Sequence, residues 1–152
     1  MKFNLLLLLL NTLTAVVLSQ ASGQTTIRLQ NHDLYWDTDS TNSTVVLLPG
    51  GINPVKWTIV PPNKEKGSLI NYSNGQSVKF NGGFNQLIIA KGGESSWTFD
   101  ELNPLGPYFI CSAQHPFWCA TAVFKERGWV VEARPKFFSL RDRQRWELVL
   151  WN

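Results

Sequence analysis

The sequence predicts an all-β protein, a β-trefoil of three four-stranded units related by pseudo-threefold symmetry. No long stretch after residue 24 keeps apolar residues at helical spacing. Short runs rich in Val, Ile, Trp and Phe recur instead between clusters of Gly, Pro, Asn and Asp, which is typical of strands and turns. A tryptophan recurs in the same setting at Trp57, Trp97 and Trp146, which indicates three copies of one unit.

Residues 1–23 are predicted to form a secretory signal peptide. Lys2 precedes an apolar run, and the small residues Ala21 and Gly23 lie at the third and first positions before a cleavage site at Gln24. The run is shorter than the roughly 20 residues of a bilayer span, so we expect no membrane span. Residues 24–152 are therefore expected to form one secreted, extracellular domain.

Each predicted unit contains four short runs. The first unit, about 26–62, has "TIRLQN", "LYWDTD", "STVVLLPGG" and "VKWTIVPP". The second, about 67–103, has "SLINYS", "QSVKFNGG", "NQLIIAKGG" and "SSWTFDEL". The third, about 107–152, has "YFICSAQ", "PFWCATA", "GWVVEARP" and "QRWELVLW". Its extra length falls in "RPKFFSLRDRQR", which we interpret as a loop insertion, because loop insertions cost little free energy.

Repeats of this length indicate a closed repeat architecture, and a propeller needs more than three copies. In a β-trefoil, six strands close a barrel and six form three hairpins that cap it. The three repeated tryptophans are then expected to be buried where the units meet. Other predicted core residues are Leu29, Ile70 and Ile110 in the first runs, and Val46, Leu48, Ile88, Val131 and Ala133 in the third runs.

Cys111 and Cys119 are the two cysteines of the chain, eight positions apart. In an oxidising compartment this spacing predicts one disulfide across a hairpin, because a metal site would need further ligands close by. Two sequons begin at Asn42 and Asn71 and predict N-glycosylation at positions that face solvent.

The tripeptide Gln-Arg-Trp at 144–146 matches the Gln-x-Trp signature of the ricin B-type lectin family. The equivalent tripeptides, Val-Lys-Trp at 55–57 and Ser-Ser-Trp at 95–97, keep the tryptophan and lose the glutamine. The chain therefore resembles a divergent member of this family over roughly residues 26–150. The resemblance implies noncatalytic binding of galactose-type or related sugars, in one shallow pocket per unit.

The resemblance also implies which residues form a pocket: an Asp at the end of the second strand, an aromatic platform on the third, and amide groups just before the tryptophan. Carboxylates and amides bond sugar hydroxyls, and a ring covers the C–H face of the sugar. Candidates in the first unit are Asp37 as the acceptor, Trp36 or Tyr35 as the ring, and Asn53 and Lys56 as further polar groups.

The alternative is a structural role, in which Asp37 and Asp39 are turn residues and the aromatic side chains pack inward. Strand alternation allows only one of Tyr35 and Trp36 to face the core.

The other two units lack the acid and the ring. The Asp position is interpreted as Phe80 and Ala120, and the platform position as Ala90 and Ala133. The third unit keeps Gln144 and Asp142 as candidate carbohydrate-binding residues.

The sequence does not favour hydrolysis, calcium binding or nucleic-acid binding. The chain has no Gly-x-Ser-x-Gly elbow and no His-Glu-x-x-His helix, and the loop after Asp37 lacks the Gly and Glu of a calcium hand. We therefore expect no catalysis, no cofactor and no bound metal. After residue 23 the chain has 13 basic and 11 acidic residues, so its near-neutral charge does not favour nucleic acid as a partner.

Arg141, Arg143 and Arg145 alternate along a segment predicted to be extended, which would place three cations on one face. This face is either a solvated strand edge or a patch for an acidic glycan or an acidic partner surface. The leading prediction is a protein that binds a glycan or glycoprotein. The alternative is a trefoil that binds a protein, as a protease inhibitor or secreted interaction factor does, through the insert at 134–143.

Overall fold

The computed structural model describes residues 23–50, 53–60, 67–93, 95–101 and 106–150, so the predicted signal peptide lies almost wholly outside the described residues. These ranges contain twelve strands and one short 3-10 helix, which confirms the all-β prediction. The strands are β1 (Gln24–Leu29), β2 (Leu34–Thr38), β3 (Val45–Pro49), β4 (Trp57–Val60), β5 (Leu69–Asn71), β6 (Gln76–Lys79), β7 (Ile88–Lys91), β8 (Trp97–Glu101), β9 (Tyr108–Ser112), β10 (Trp118–Lys125), β11 (Gly128–Pro135) and β12 (Trp146–Leu150).

Six strands close a barrel. Antiparallel pairing runs from β1 to β4, from β4 to β5, from β8 to β9, from β9 to β12, and from β12 back to β1. A bridge between Ser68 and Trp97 joins β5 to β8 and completes the ring. Each barrel strand therefore has a neighbour on both sides, and closure removes the unpaired edges that invite aggregation.

The other six strands form three hairpins, β2–β3, β6–β7 and β10–β11. Single bridges link the hairpins in a cycle, and each bridge joins the same two hairpin positions of successive units. The bridges are Thr44 to Ile88, Gln86 to Glu132, and Val130 to Val46. The pairing itself therefore shows threefold symmetry and assigns which residues of the three units are equivalent.

The three repeated tryptophans occupy equivalent buried positions. Trp57, Trp97 and Trp146 are each 0% exposed, as predicted. Each indole Nε1 donates a hydrogen bond to a backbone carbonyl in the second strand of its own unit. The three bonds are Trp57 to Trp36 at 3.3 Å, Trp97 to Val78 at 3.1 Å, and Trp146 to Ala120 at 3.0 Å. Trp36, Val78 and Ala120 are therefore equivalent residues.

Most of the predicted core is confirmed. In β3 and β7, however, the residues that point inward are one position away from the predicted ones. Leu29, Ile70, Ile110, Val131 and Ala133 are buried, as predicted. The prediction is wrong for Leu48, which is 46% exposed, and for Val46 and Ile88, which are half-buried. The inward residues there are Val45, Leu47, Leu87 and Ile89.

The insertion in the third unit forms a 3-10 helix, Phe138–Arg143. The prediction of an extended segment with three arginines on one face is therefore wrong. Backbone N–H groups of Leu140 and Gln144 donate to the carbonyls of Phe137 and Arg141 at 3.2 and 3.3 Å. This compact turn takes up the extra residues before Trp146 re-enters the barrel.

The predicted disulfide joins Cys111 to Cys119, which face each other across β9 and β10. Of the two sequon asparagines, Asn42 is exposed and Asn71 is half-buried in β5, so glycosylation stays a prediction. Within the described residues there is no helix of the length and apolarity that a bilayer crossing requires.

Candidate functional site

The outer face of the β2–β3 hairpin carries the candidate sugar site. Successive residues of β2 point to opposite sides, so the inward position of Trp36 directs Tyr35 and Asp37 outward. Trp36 is 0% exposed and packs edge-on against Trp57 and Trp146, with ring centroids 6.0 and 5.4 Å away. The prediction that Trp36 contributes to a sugar site is therefore wrong, because its ring fills the core.

Tyr35 is the aromatic residue on the outer face. It pairs with Leu48 across the hairpin, and Asp37 pairs with Val46. Gly50 lies directly against the ring. A Cβ atom at this position would come within 2.6 Å of Tyr35 Cε2, so a larger residue would displace the ring. An aromatic ring packed on Gly50, an exposed leucine and a carboxylate thus share one surface.

The Asp37 carboxylate is half-buried and has one oxygen in use. Its Oδ1 accepts the backbone N–H of Thr38 at 2.7 Å. No described residue donates a hydrogen bond to its Oδ2. A carboxylate oxygen of this kind accepts bonds from ligand hydroxyls, and the contact to Thr38 fixes its direction.

Asp39 has a different role, as a brace for the loop between β2 and β3. Its carboxylate accepts bonds from Thr41 Oγ1 at 2.7 Å and from the backbone N–H groups of Ser43 and Thr44 at 2.8 and 3.2 Å. Burial alone would raise the pKa of Asp39, but these bonds outweigh it and lower the pKa to about 2. The interpretation of Asp39 as a turn residue is therefore correct.

Gln144 and Asp142 are the two predicted carbohydrate-binding residues of the third unit. Gln144 is fully buried, and its Nε2 donates to Thr121 Oγ1 and to the Pro135 carbonyl, both at 2.9 Å. The prediction that Gln144 binds carbohydrate is wrong, because its amide ties a hairpin to the segment before Trp146. Asp142 is exposed and lies in the 3-10 helix.

The tryptophan hydrogen bonds correct the equivalents of Asp37. Asp37 directly follows the carbonyl that accepts the indole bond, and so do Lys79 and Thr121 in the other units. The interpretation of Phe80 and Ala120 as equivalents of Asp37 is one residue off in each case. Lys79 is buried and bonds the Gly93 carbonyl, so the first unit alone has a carboxylate at this position of the described chain.

Asn53 and Lys56 are exposed in the segment before Trp57. Val55 between them occupies the position of Gln144, two residues before the tryptophan. Because Gln144 contacts Thr121, symmetry places Val55 beside Asp37, with Asn53 and Lys56 flanking it. The role of Asn53 and Lys56 in sugar binding stays a prediction.

The lectin resemblance puts Leu48 at the platform position of this site, and sequence reasoning assigns no role to Gly50. The pairing of Tyr35 with Leu48, which follows only from the hairpin register, shows that Leu48 lies beside the ring. Among the residues described by the structure, no group of three or more His, Cys, Asp or Glu side chains has a geometry suited to a metal ion.

Comparison with known proteins supports the fold at low sequence identity. The chain is similar to part of a mosquitocidal holotoxin, with a TM-score of 0.70, 17% identity and coverage of 84% of this chain but 16% of the toxin chain. It is also similar to ThreeFoil, a designed threefold-symmetric protein, with a TM-score of 0.66, 14% identity and coverage of 84% and 98% of the two chains. The chain has a β-trefoil fold.

A third similar structure is that of a salivary protein from Culex that belongs to the Cysteine and Tryptophan-Rich family. The TM-score is 0.56, the identity is 20%, and the match covers 84% of this chain and 93% of that chain. A scan against protein-family models gave no match, and a search of curated proteins gave none. The likeness therefore establishes the trefoil fold, and the site must be argued from its own geometry.

Proposed function

We propose that this protein is a secreted, noncatalytic carbohydrate-binding protein whose sugar site is the outer face of the first hairpin. The carrying observation is the position of Asp37, which offers an oriented carboxylate oxygen on the same face as Tyr35. The carboxylate accepts hydrogen bonds from two sugar hydroxyls, and the ring covers apolar C–H groups. The ricin B-like fold supports this choice of ligand class.

The affinity for a single sugar is expected to be weak. Leu48 replaces the aromatic platform and Val55 replaces the amide that the lectin resemblance implies, so one carboxylate and one ring carry most of the recognition. A site with so few polar contacts suits a dissociation constant on the order of 1 mM. Useful binding would then depend on multivalent presentation of the glycan.

The Cys111–Cys119 disulfide supports an extracellular location, since structural disulfides persist in oxidising compartments. The similarity to a salivary protein agrees with it. The noncatalytic role is part of the proposal, and two of the carboxylates have structural partners, since Asp39 is bonded within its loop and Asp100 pairs with Lys136 at 2.8 Å.

The test is isothermal titration of residues 24–152 with galactose-type saccharides, after a glycan-array screen. Asp37→Asn keeps the shape of the side chain and removes its charge, and it should weaken binding at least about tenfold, since bonds to a charged group are stronger. The matched control is Glu101→Gln, which removes an exposed carboxylate at the end of β8, outside the candidate site, and should change nothing. Equal binding by the Asp37→Asn variant and the wild type would refute this site.

A protein partner is the second candidate, and the observation that favours it is a pair of exposed rings. Phe117 is 79% exposed and Phe137 is 56% exposed. Their segments are joined by a bond from the Lys136 N–H to the Phe117 carbonyl at 2.8 Å. Exposed aromatic residues are enriched at protein interfaces. Replacing both rings by serine should abolish capture of a specific partner and leave sugar titrations unchanged.

A further inference from the structure

The threefold symmetry allows the equivalent turn residues of the three hairpins to be compared. Asn42, Phe84 and Gly128 each lie two residues before a bridging residue, and their φ angles are 54°, 62° and 121°. Asn and Gly adopt this left-handed backbone readily, whereas a bulky aromatic residue does so only under strain. The Phe84 ring is 57% exposed, so burial does not offset the strain.

The Phe84 ring forms a cluster with Trp118 and Arg134. The Phe84 and Trp118 rings meet edge-on, with centroids 5.1 Å apart. The Arg134 guanidinium carbon lies 5.0 Å from the centroid of the Phe84 ring. Trp118 rests on Gly83, where a Cβ atom would come within 2.2 Å of the indole. We call Phe84, Trp118 and Arg134 the Phe84 cluster.

A second departure from symmetry is Glu132, which contacts Arg134 of the Phe84 cluster. Glu132 is equivalent to Val46 and Ile88, yet it is a fully buried carboxylate. Arg134 donates to Glu132 Oε2 from Nε at 2.9 Å and from Nη2 at 2.6 Å, and Lys125 contacts Oε1. Burying a carboxylate is costly, and the other two units show that an apolar residue suits this position. Glu132 therefore orients Arg134.

The cluster combines apolar and cationic chemistry on one surface. Lys125 and Arg134 together outweigh the single negative charge of Glu132 and leave a local charge of +1. An oriented guanidinium bonds sulfate or carboxylate oxygens, and aromatic rings cover the C–H face of a sugar ring.

We propose that the Phe84 cluster is a second binding site, for a saccharide that carries a sulfate or carboxylate group. This inference rests on the proposed carbohydrate-binding function and names the ligand class of a different surface from the first-unit site. Arg134 bonds the anionic group, and Phe84 and Trp118 hold the adjoining sugar ring. Lys125 adds long-range attraction, which salt screens.

The experiment is isothermal titration of residues 24–152 with a heparin hexasaccharide, a hyaluronan hexasaccharide and uncharged lactose at low salt. The key variant, Glu132→Val with Arg134→Leu, carries the residues that the first unit has at Val46 and Leu48. It keeps the net charge, so a loss of affinity cannot come from bulk electrostatics. We expect both variant changes together to weaken binding of the anionic probe about tenfold or more.

Phe84→Asn tests the aromatic part with the residue found at Asn42. It should keep the fold, and it should weaken binding about threefold to tenfold. Arg143→Gln is the matched cation control. Like Arg134, Arg143 lies over an aromatic ring, but the ring is that of Trp129, outside the Phe84 cluster, with the guanidinium carbon 5.8 Å from its centroid. This substitution lowers the net charge by one and should change affinity less than about twofold.

The two proposals fail in different ways. Asp37→Asn should leave binding of the anionic probes unchanged, so its loss of neutral-sugar binding concerns the first-unit site alone. Loss of binding of either anionic hexasaccharide in the Glu132→Val, Arg134→Leu variant supports the Phe84 cluster. Heparin carries sulfates and carboxylates whereas hyaluronan carries carboxylates alone, so binding of heparin without binding of hyaluronan indicates that sulfate is recognised. A larger loss in Arg143→Gln than in that variant, or no binding of either anionic probe by the wild type, would overturn the proposal.

Discussion

Replacing each repeated tryptophan by phenylalanine should destabilise the fold to a similar extent in all three units. Trp57, Trp97 and Trp146 are equally buried, and each donates one indole bond to a backbone carbonyl. Phenylalanine has no N–H, so each variant leaves a buried carbonyl without that donor, at a cost of about 1–3 kcal/mol. The smaller ring leaves a gap that adds about 1 kcal/mol, giving roughly 2–4 kcal/mol in total.

The assay is urea denaturation of residues 24–152 followed by circular dichroism, with the free energy of unfolding extrapolated to water. Trp129→Phe is the control, because Trp129 is half-buried at the tip of the third hairpin. That change should cost less than about 1 kcal/mol, as substitutions away from the core do. A loss below about 0.5 kcal/mol in one core variant, beside large losses in the other two, would refute the equivalence of the units.

Three further changes have defined outcomes. Asp39→Asn should destabilise the protein by about 1 kcal/mol at pH 6, after allowance for solvent screening. The low folded-state pKa of Asp39 stabilises the fold above its ordinary pKa near 3.8, so the difference from wild type should vanish in denaturation curves as pH falls from about 4 to about 2. Replacing Cys111 and Cys119 by alanine removes a short covalent loop and should lower the free energy of unfolding by about 2–3 kcal/mol, as reductant does to the wild type. Gln144→Ala should cost about 2–3 kcal/mol in the same assay, because it deletes two buried bonds, while sugar titrations stay unchanged; lost sugar binding with normal stability would contradict the structural role of Gln144.

The strand order and the threefold pattern were predictable because every unit repeats its local signals. A tryptophan before the last strand and Gly, Pro, Asn or Asp between runs mark the same elements three times. The disulfide was predictable as well, since the chain has two cysteines and therefore a single pairing.

The register of the third strands was harder to predict. The run of Val45 to Leu48 is apolar on both faces, so alternation gives no sign of which residues point inward. The cross-hairpin partners decide it, since Leu47 pairs with the buried Trp36 and Leu48 pairs with Tyr35. The same ambiguity led to the assignment of Trp36 to the surface site.

The third-unit insert and the Phe84 cluster depend on contacts that local sequence does not encode. Alternating arginines fit an exposed strand, but Phe138–Arg143 forms a 3-10 helix with backbone bonds from Leu140 to Phe137 and from Gln144 to Arg141. Arg134 and Phe84 lie 50 positions apart in sequence and meet only through the packing of the second and third hairpins.

The most direct test of the carbohydrate-binding proposal is a ¹H–¹⁵N NMR titration of residues 24–152 with the best glycan from an array screen. We predict chemical-shift changes at the backbone amides of Tyr35, Asp37 and Leu48, with those of Trp97 and Ile70 unchanged. Absence of any shift in the β2–β3 hairpin at millimolar sugar would contradict the first-unit site.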